Sequence, residues 1–171
     1  MVDPKISFFN KIYDDTFAKV ASFVVAKCGK VQDVEDILQE IYIEFYNLVI
    51  KKGIDYIINP EALVMQIAKF KLHKHYKAAE SRKDIEPYLL ENKDGEQYEQ
   101  DLSDIDVFDA LVNNQTINEI WNILQKKEQV VQKIFTLYYY FGNTIREIAI
   151  YLETSESYVK HKLYRTLQEI R

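Results

Sequence analysis

The last 28 residues of the chain predict two short helices. The turn that joins them is so short that the two helices must cross each other. Thr144 and Glu147 fit the Thr-x-x-Glu capping box that opens a helix, and Ser155 is a good cap for the following helix. A close crossing of two helices needs small side chains at the contact. Ala149 and Val159, ten residues apart, meet that need and favour a helix-turn-helix.

The second of these helices has one apolar face and one polar face. At about 100° per residue, its apolar side chains share one side: Val159, Leu163, Leu167 and Ile170. The opposite side carries hydroxyl, aromatic, basic and amide groups, which suit DNA but also occur on any solvated helix. The predicted DNA-contacting residues on this side are Ser157, Tyr158, Lys160, His161, Lys162 and Arg165.

One residue departs from the usual pattern of this motif. The turn commonly carries Gly, whereas this chain has Glu153 there. If φ is positive at this position, a residue with a Cβ atom costs about 1 kcal/mol relative to Gly.

The composition excludes several classes of protein. The chain has 171 residues, of which 47% are hydrophobic and only four are Gly, as expected for one or two globular helical domains. The single cysteine, Cys28, cannot form an internal disulfide and is interpreted as a small core residue in a reducing compartment. No apolar run reaches the length of about 18 residues that a membrane span needs, and the N-terminus does not resemble a signal peptide. We therefore expect a cytoplasmic protein without membrane insertion.

Charge is distributed in blocks along the chain. The formal net charge is −5, but residues 84–106 alone hold nine acidic residues against Lys93. Residues 69–83 hold six Lys or Arg against Glu80, and residues 31–50 hold five acidic residues and no basic one. Blocks of one sign indicate partners rather than a fold, so an acidic protein can still contain a basic surface suited to nucleic acid.

Helical periodicity and helix-stop signals predict helices throughout and no strands. Gly53 and Pro60 separate the second helix from the third, Thr116 with Glu119 forms a second capping box, and Gly142 ends the fifth helix. The fold class is therefore all-α, with a helical domain at 1–83, an acidic linker at 84–109 and a second helical domain at 110–171. Before the helix-turn-helix, the predicted helices are Ile6–Ala26, Val31–Lys51, Glu61–Lys77 or beyond, Thr116–Gln125 and Lys127–Phe141.

Two helices of the first domain have patterned polar faces. Along the second helix the predicted inner residues are Ile37, Ile41, Phe45 and Leu48, and the more outward ones are Asp36, Gln39, Glu40 and Glu44. Aromatic and basic side chains interleaved on one helix suit nucleic acid with exposed bases, because the rings stack on bases and the charges meet phosphates. The third helix has this pattern, with a stripe of Lys69, His73 and Lys77 beside Gln66 and Tyr76.

Three stretches together resemble the sigma-70 family of bacterial RNA polymerase initiation factors, in particular the small two-domain extracytoplasmic-function type. They are DVEDILQEIYIEFY, PEALVMQIAKFKLHKHYK and FTLYYYFGNTIREIAIYLETSESYVKHKLYR, and they occur in the family's order with a family-like acidic linker. The chain resembles a divergent member, because the Leu-Pro pair that typically opens the C-terminal domain is missing. Further departures are Leu63-Val64 for a common Trp-Leu, Phe70 and Lys74 for Asn and Asp, and Glu153 for the turn Gly.

The resemblance implies an alternative sigma factor that binds core RNA polymerase, recognises −10 and −35 promoter elements and promotes melting. It implies a region 2-like domain that grips the β′ clamp through Asp33, Asp36, Gln39 and Glu40. The same domain would contact the −10 element through Tyr56, Asn59, Gln66, Lys69, His73 and Lys77, with Tyr56 as a wall for a flipped-out base. The region 4-like helix-turn-helix would read the −35 element and contact the β flap. An anti-sigma factor is a further candidate partner.

Two other classes of function compete with this interpretation. A helix-turn-helix regulator with an N-terminal sensing or dimerisation domain explains residues 144–171, but it gives no reason for the ordered acidic and basic blocks upstream. An enzyme is disfavoured, because no Glu-x-x-His, His-x-x-x-His or Cys-x-x-Cys spacing and no Gly-rich phosphate loop occurs. We therefore expect no catalytic residue, no metal site and no cofactor, although His73, His75 and His161 are present.

Overall fold

The computed structural model describes residues 3–80 and 114–170, with side chains described for 3–75 and 119–170. The chain divides into two compact units, Met1–Tyr88 and Leu89–Arg171. Every regular element in the described residues is helical, so the all-α fold class is confirmed. The predicted acidic linker lies outside the described residues, and the two predicted domain boundaries remain predictions.

The first unit is a bundle of three helices, each of which contacts the other two. These helices are α1 (Pro4–Lys27), α2 (Val34–Lys52) and α3 (Pro60–Glu80). A 3₁₀ turn at Val31–Asp33 leads into α2, and a second one at Ile54–Tyr56 lies between α2 and α3. All three predicted helices are confirmed. The helix α1 extends past the predicted bounds at both ends, and α3 begins one residue earlier than predicted and continues to Glu80.

Local hydrogen bonds explain where these helices begin and end. The Asp3 carboxylate accepts a hydrogen bond of 2.8 Å from the backbone N–H of Lys5, and Pro4 occupies the first position of α1, where no N–H is needed. Gly53 ends α2 with a φ of +86°, a conformation that favours glycine. Asn59 caps α3, because its side-chain oxygen accepts from the N–H of Ala62 at 3.0 Å.

The core of the first unit combines aliphatic and aromatic side chains. Phe9, Tyr13 and Phe17 of α1 meet aromatic rings of α2 with centroids 4.6 to 6.1 Å apart. The Tyr42 hydroxyl is paired with the Thr16 hydroxyl at 3.0 Å, and burial raises the pKa of Tyr42, so this buried pair is neutral and satisfied. The largest fully buried side chains here are Val20, Val24, Val25, Ile41, Phe45, Val49 and Val64.

The second unit contains α4 (Asn114–Leu124), α5 (Gln129–Phe135), α6 (Ile145–Tyr151) and α7 (Glu156–Ile170). A π-helical turn, Thr136–Tyr140, extends α5. Because α7 contacts both α5 and α6, it closes the core of this unit. The side chains with at most 2% exposure are Leu124, Val130, Ile134, Leu137, Ile148, Val159 and Leu163.

Two local predictions in the second unit were wrong. Thr116 lies inside α4, which already includes Asn114, so Thr116 is not the cap of that helix. The helix predicted at Lys127–Phe141 begins at Gln129 and changes to a π-helical turn, in which the Phe141 N–H donates to the Thr136 carbonyl at 3.2 Å. A single residue is thereby added to one turn of the helix. The predicted stop at Gly142 is confirmed by its φ of +65°.

The turn between α6 and α7 contains the strained residue that the sequence indicates. Glu153 has a φ of +55° and is the one non-glycine residue in the described parts of the chain with a positive φ. The Thr154 N–H donates to the Ala149 carbonyl at 2.9 Å, which is the bond that closes a helix end of the Schellman type. The left-handed residue therefore allows the chain to reverse, and an L side chain is a cost at this position.

Replacing Glu153 by Gly should stabilise the second unit by about 0.5–1 kcal/mol, because relief of the left-handed strain exceeds the added entropy of the unfolded chain. Urea unfolding of the full chain measures this through Trp121, the one tryptophan, which lies in the second unit. Glu153→Ala is the matched control, since it removes the same charge and keeps the Cβ atom. An equal change in the free energy of unfolding for both variants would attribute the effect to charge rather than to backbone strain.

Candidate nucleic-acid interface

The start of the helix-turn-helix is fixed by a complete capping box. The Thr144 Oγ1 atom accepts from the Glu147 N–H at 3.2 Å, while Glu147 Oε2 accepts from the Thr144 N–H at 2.8 Å. The hydrogen bonds from Thr144 also lower the pKa of Glu147, so its carboxylate stays charged at the N-terminal end of α6. The capping box predicted at this position is confirmed.

The crossing of α6 and α7 buries the residues that the sequence assigns to the contact. Ala149 is 5% exposed and Val159 is 0% exposed. Ser155 caps α7, because its Oγ atom accepts from the Tyr158 N–H at 3.2 Å. The inner face of α7 is formed by Val159 and Leu163 as predicted, together with Thr166, whereas Leu167 and Ile170 are half-buried.

The six predicted DNA-contacting residues of α7 differ in their exposure. Ser157, Lys160 and Arg165 are exposed, and Tyr158, His161 and Lys162 are half-buried. Gln168, one turn beyond Tyr164, is exposed as well. The outward side of α7 therefore presents hydroxyl, ammonium, guanidinium and amide groups, which are the donors and acceptors that contact phosphates and base edges in duplex DNA.

Lys162 is restrained by groups of its own unit. Its Nζ atom lies 3.0 Å from Glu128 Oε2 and 5.6 Å from the centre of the Tyr158 ring. Burial raises the pKa of Tyr158, and this effect exceeds the lowering by the Lys162 charge, so the ring is a neutral platform for the ammonium. The sequence does not reveal this contact, because Glu128 lies 34 residues away in the chain.

Arg165 and Glu169 form a second charged group on α7. The Arg165 Nε atom lies 3.4 Å from Glu169 Oε1, and the other carboxylate oxygen of Glu169 accepts a hydrogen bond from Lys127. The Arg165 side chain is 68% exposed, so most of it is open to solvent.

The predicted stripe on α3 is exposed over its described length. Gln66, Lys69 and His73 all lie at the surface, and Lys77 lies on α3 beyond the described side chains. Phe70, in the same stripe, is 60% exposed. An aromatic ring held in solvent between basic side chains is an arrangement typical of surfaces that stack on unpaired bases.

The loop between α2 and α3 exposes two large side chains. Tyr56 is 64% exposed, with the Lys52 ammonium 5.8 Å from the centre of its ring. Ile58 is 97% exposed, which no pattern in the sequence predicted. Asn59 uses its side-chain oxygen to cap α3, which leaves its amide nitrogen as the group that could contact a base.

The acidic face of α2 is partly tied to α3. Lys71, whose side chain is only 13% exposed, lies 2.6 Å from Glu44 and 3.7 Å from Glu40. Asp33 Oδ2 lies 3.2 Å from His75 Nε2. Of the four residues assigned to polymerase binding, Asp36, Gln39 and Glu40 are exposed and Asp33 is half-buried. Glu40 and Asp33 therefore also stabilise the packing of α2 on α3, and Asp36 and Gln39 form the outward part of this face.

Within the described parts of the chain, no group of His, Cys, Asp and Glu side chains is arranged to hold a metal ion. Over the same residues, no helix is both long enough and apolar enough to cross a membrane.

Residues 118–170 match the family model described as Sigma-70, region 4. The matched range contains α5, α6, α7 and most of α4, so a region 4 helix-turn-helix domain is present in the second unit. The match covers under a third of the chain and supports a sigma-70 family member. Such a domain has a DNA-binding role in transcription initiation, with core RNA polymerase and promoter DNA as partners. No curated protein matches the chain.

Replacing Glu128 by Gln should release Lys162 for a DNA phosphate and strengthen binding to duplex DNA. Each added phosphate contact steepens the dependence of log K on log salt by about 0.9. Binding of the full chain to a mixed-sequence duplex, titrated over a range of salt concentrations, measures this slope. Glu119→Gln, an exposed carboxylate of the same unit, is the control. The same slope change in both variants would mean a general charge effect and no specific role for the Glu128–Lys162 pair.

Proposed function

We propose that this chain is an alternative sigma factor of the extracytoplasmic-function type, which binds core RNA polymerase, recognises −10 and −35 elements and promotes promoter melting. The observation that carries the proposal is the region 4 match together with the outward basic and polar face of α7. A sigma factor recognises the promoter and promotes melting, while the polymerase catalyses RNA synthesis. The chain itself therefore needs no catalytic group. It would act in the cytoplasm, where polymerase and promoter DNA are found.

The division of labour follows the proposed domains at 1–83 and 110–171, joined by the acidic linker at 84–109. The second domain would place α7 in the major groove of the −35 element, with Ser157, Lys160 and Arg165 outward as a reading helix requires. It would also contact the β flap of the polymerase. An exposed guanidinium is the group best suited to a bidentate contact with guanine.

The first domain would bind the melted −10 element along α3. Lys69 and His73 would meet phosphates, and Phe70 would stack on an unpaired base, because both kinds of group lie exposed on one stripe. Tyr56 and Ile58 would contact the flipped-out base at the loop. Extraction of a base costs a few kcal/mol, and the stacking and apolar contacts of these side chains would offset that cost.

The acidic side of α2 would bind the β′ clamp of the polymerase. Asp36 and Gln39 are the outward residues of this side, and Glu40 is exposed although it lies near Lys71. Docking through residues next to the α2–α3 ion pairs would couple the clamp contact to the helix that binds the −10 strand. An anti-sigma factor that covers the acidic side of α2, or the surface of α3 that binds the −10 strand, would hold the chain inactive.

Run-off transcription tests the class of function and its specificity together. Core polymerase and a library of genomic promoter fragments are incubated with and without the full chain. We expect transcripts from a small set of fragments in the presence of the chain. A helix-turn-helix regulator without sigma activity would bind DNA in this assay and give no new transcripts from core polymerase, and that result would refute the proposal.

Asp36→Lys should weaken association of the chain with core polymerase by about tenfold or more, because like charges placed together at an interface cost several kcal/mol. Asp15→Lys, the same change at an exposed position of α1, is the control and should leave association nearly unchanged. Equilibrium binding to immobilised core polymerase gives both affinities, and circular dichroism checks that the helices are intact. Equal affinities for the two variants would show that α2 is not the clamp contact.

A further inference from the structure

The guanidinium of Arg165 is held by one edge only. Its Nε atom lies 3.4 Å from Glu169 Oε1, one helical turn further along α7. A guanidinium has five N–H groups in a rigid plane, and a contact through Nε leaves its two terminal amino groups unengaged by that carboxylate. The Arg165 side chain as a whole is 68% exposed, so a partner can approach it from solvent.

Glu169 is itself held from outside α7. Its second carboxylate oxygen, Oε2, accepts a hydrogen bond from the ammonium of Lys127, which lies in the turn between α4 and α5. The backbone of Lys127 is fixed in turn, because its N–H donates to the Leu124 carbonyl at 2.9 Å and its carbonyl accepts from the Gln132 side chain at 2.9 Å. Both oxygens of Glu169 are therefore engaged, one by each cation.

The charges of these groups agree with this geometry. The hydrogen bond and charge of Lys127, with a smaller contribution from Arg165, lower the pKa of Glu169, so the carboxylate is ionised at neutral pH. An ordinary ion pair between positions i and i+4 of a helix involves no third residue. Of its two possible orders, the one with the cation first is the less favourable. The Lys127 contact is what distinguishes this arrangement from an ordinary surface pair.

We propose that Glu169, held by Lys127, is a positioning residue that orients the Arg165 guanidinium so that its two terminal amino groups meet the O6 and N7 atoms of a guanine in the major groove. The inference rests on the proposed function, since it requires α7 to read duplex DNA. An arginine side chain loses much rotamer freedom when it makes a bidentate contact, and a carboxylate that fixes its plane in advance reduces that loss. The consequence is stronger discrimination at one base pair, with little change in binding to phosphates.

The test compares variants of the full chain in the selection of sites from a library of random duplexes, with and without core polymerase. Arg165→Lys should lose the preference for one G·C pair, because an ammonium cannot reproduce the planar fork. Glu169→Gln should weaken the preference at that same pair by roughly fivefold, within the range expected for one bidentate contact. Lys127→Met should weaken it to a smaller extent, because Glu169 then remains but is no longer held.

The control and the stability measurement separate positioning from other roles. Glu156→Gln removes an exposed carboxylate of the same helix and should strengthen binding to all sequences alike. A merely structural role of the Lys127–Glu169 contact would lower the Tm and weaken binding to every sequence without altering the preference at one pair. An unchanged preference in Glu169→Gln, at a pair whose preference Arg165→Lys removes, would overturn this inference and leave the proposed function intact. A selection that enriches no sequence, or an Arg165 variant without effect at any pair, would instead count against α7 as the reader.

Discussion

The burial of one narrow face of α7 decides everything that this helix can present to a partner. Val159, Leu163 and Thr166 are 0%, 1% and 4% exposed, and they pack in a unit where α7 contacts both α5 and α6. Full burial of an aliphatic side chain contributes about 1.5–3 kcal/mol, whereas the outward polar groups contribute little to folding. A rotation of α7 by a single residue, about 100°, would expose this face and bury Lys160 or Arg165. The core therefore sets the orientation of the proposed reading helix.

Ion pairs between helices determine which charges remain available at the surfaces. In the first unit Lys71 lies beside Glu40 and Glu44, and in the second Lys162 lies beside Glu128. Because the carboxylates of these pairs are 40–69% exposed, solvent screens the pairs and each contributes only about 0–1 kcal/mol to stability. Their larger effect is on recognition, because a paired lysine offers less charge to a phosphate and a paired carboxylate offers less to a basic partner. Counts of acidic and basic residues along the chain therefore overstate the charge that each face can offer to a partner.

Features that depend on local spacing could be predicted from the sequence, and features that depend on distant partners could not. The apolar face at Val159 and Leu163, the capping box at Thr144 and the stop at Gly142 follow from the helical period and from short-range hydrogen bonds. The same Thr-x-x-Glu pattern at Thr116 led to a wrong prediction of a helix cap. A cap residue must have a non-helical backbone, and the chain is already helical at Asn114.

Contacts over long separations carry no local signal. The Lys127–Glu169 contact joins residues 42 positions apart, and the His75–Asp33 contact spans the same separation. Helical periodicity reveals which side of a helix each of these residues occupies, and it does not reveal which other helix faces that side. The exposure of Ile58 was missed for a related reason, since an apolar residue between two helices is more often buried than 97% exposed.

The proposed function implies an uneven division of specificity between the two units. On α3, Phe70 stands exposed where the resembled family often has an amide, and Lys74 stands where it often has a carboxylate. An amide reads base edges by hydrogen bonds, whereas an aromatic ring stacks on any base and a lysine attracts any phosphate. At these two positions the first unit would then bind the melted strand with less dependence on its sequence. Promoter choice would consequently rest more on α7, where an oriented Arg165 is the group able to distinguish one base pair from another.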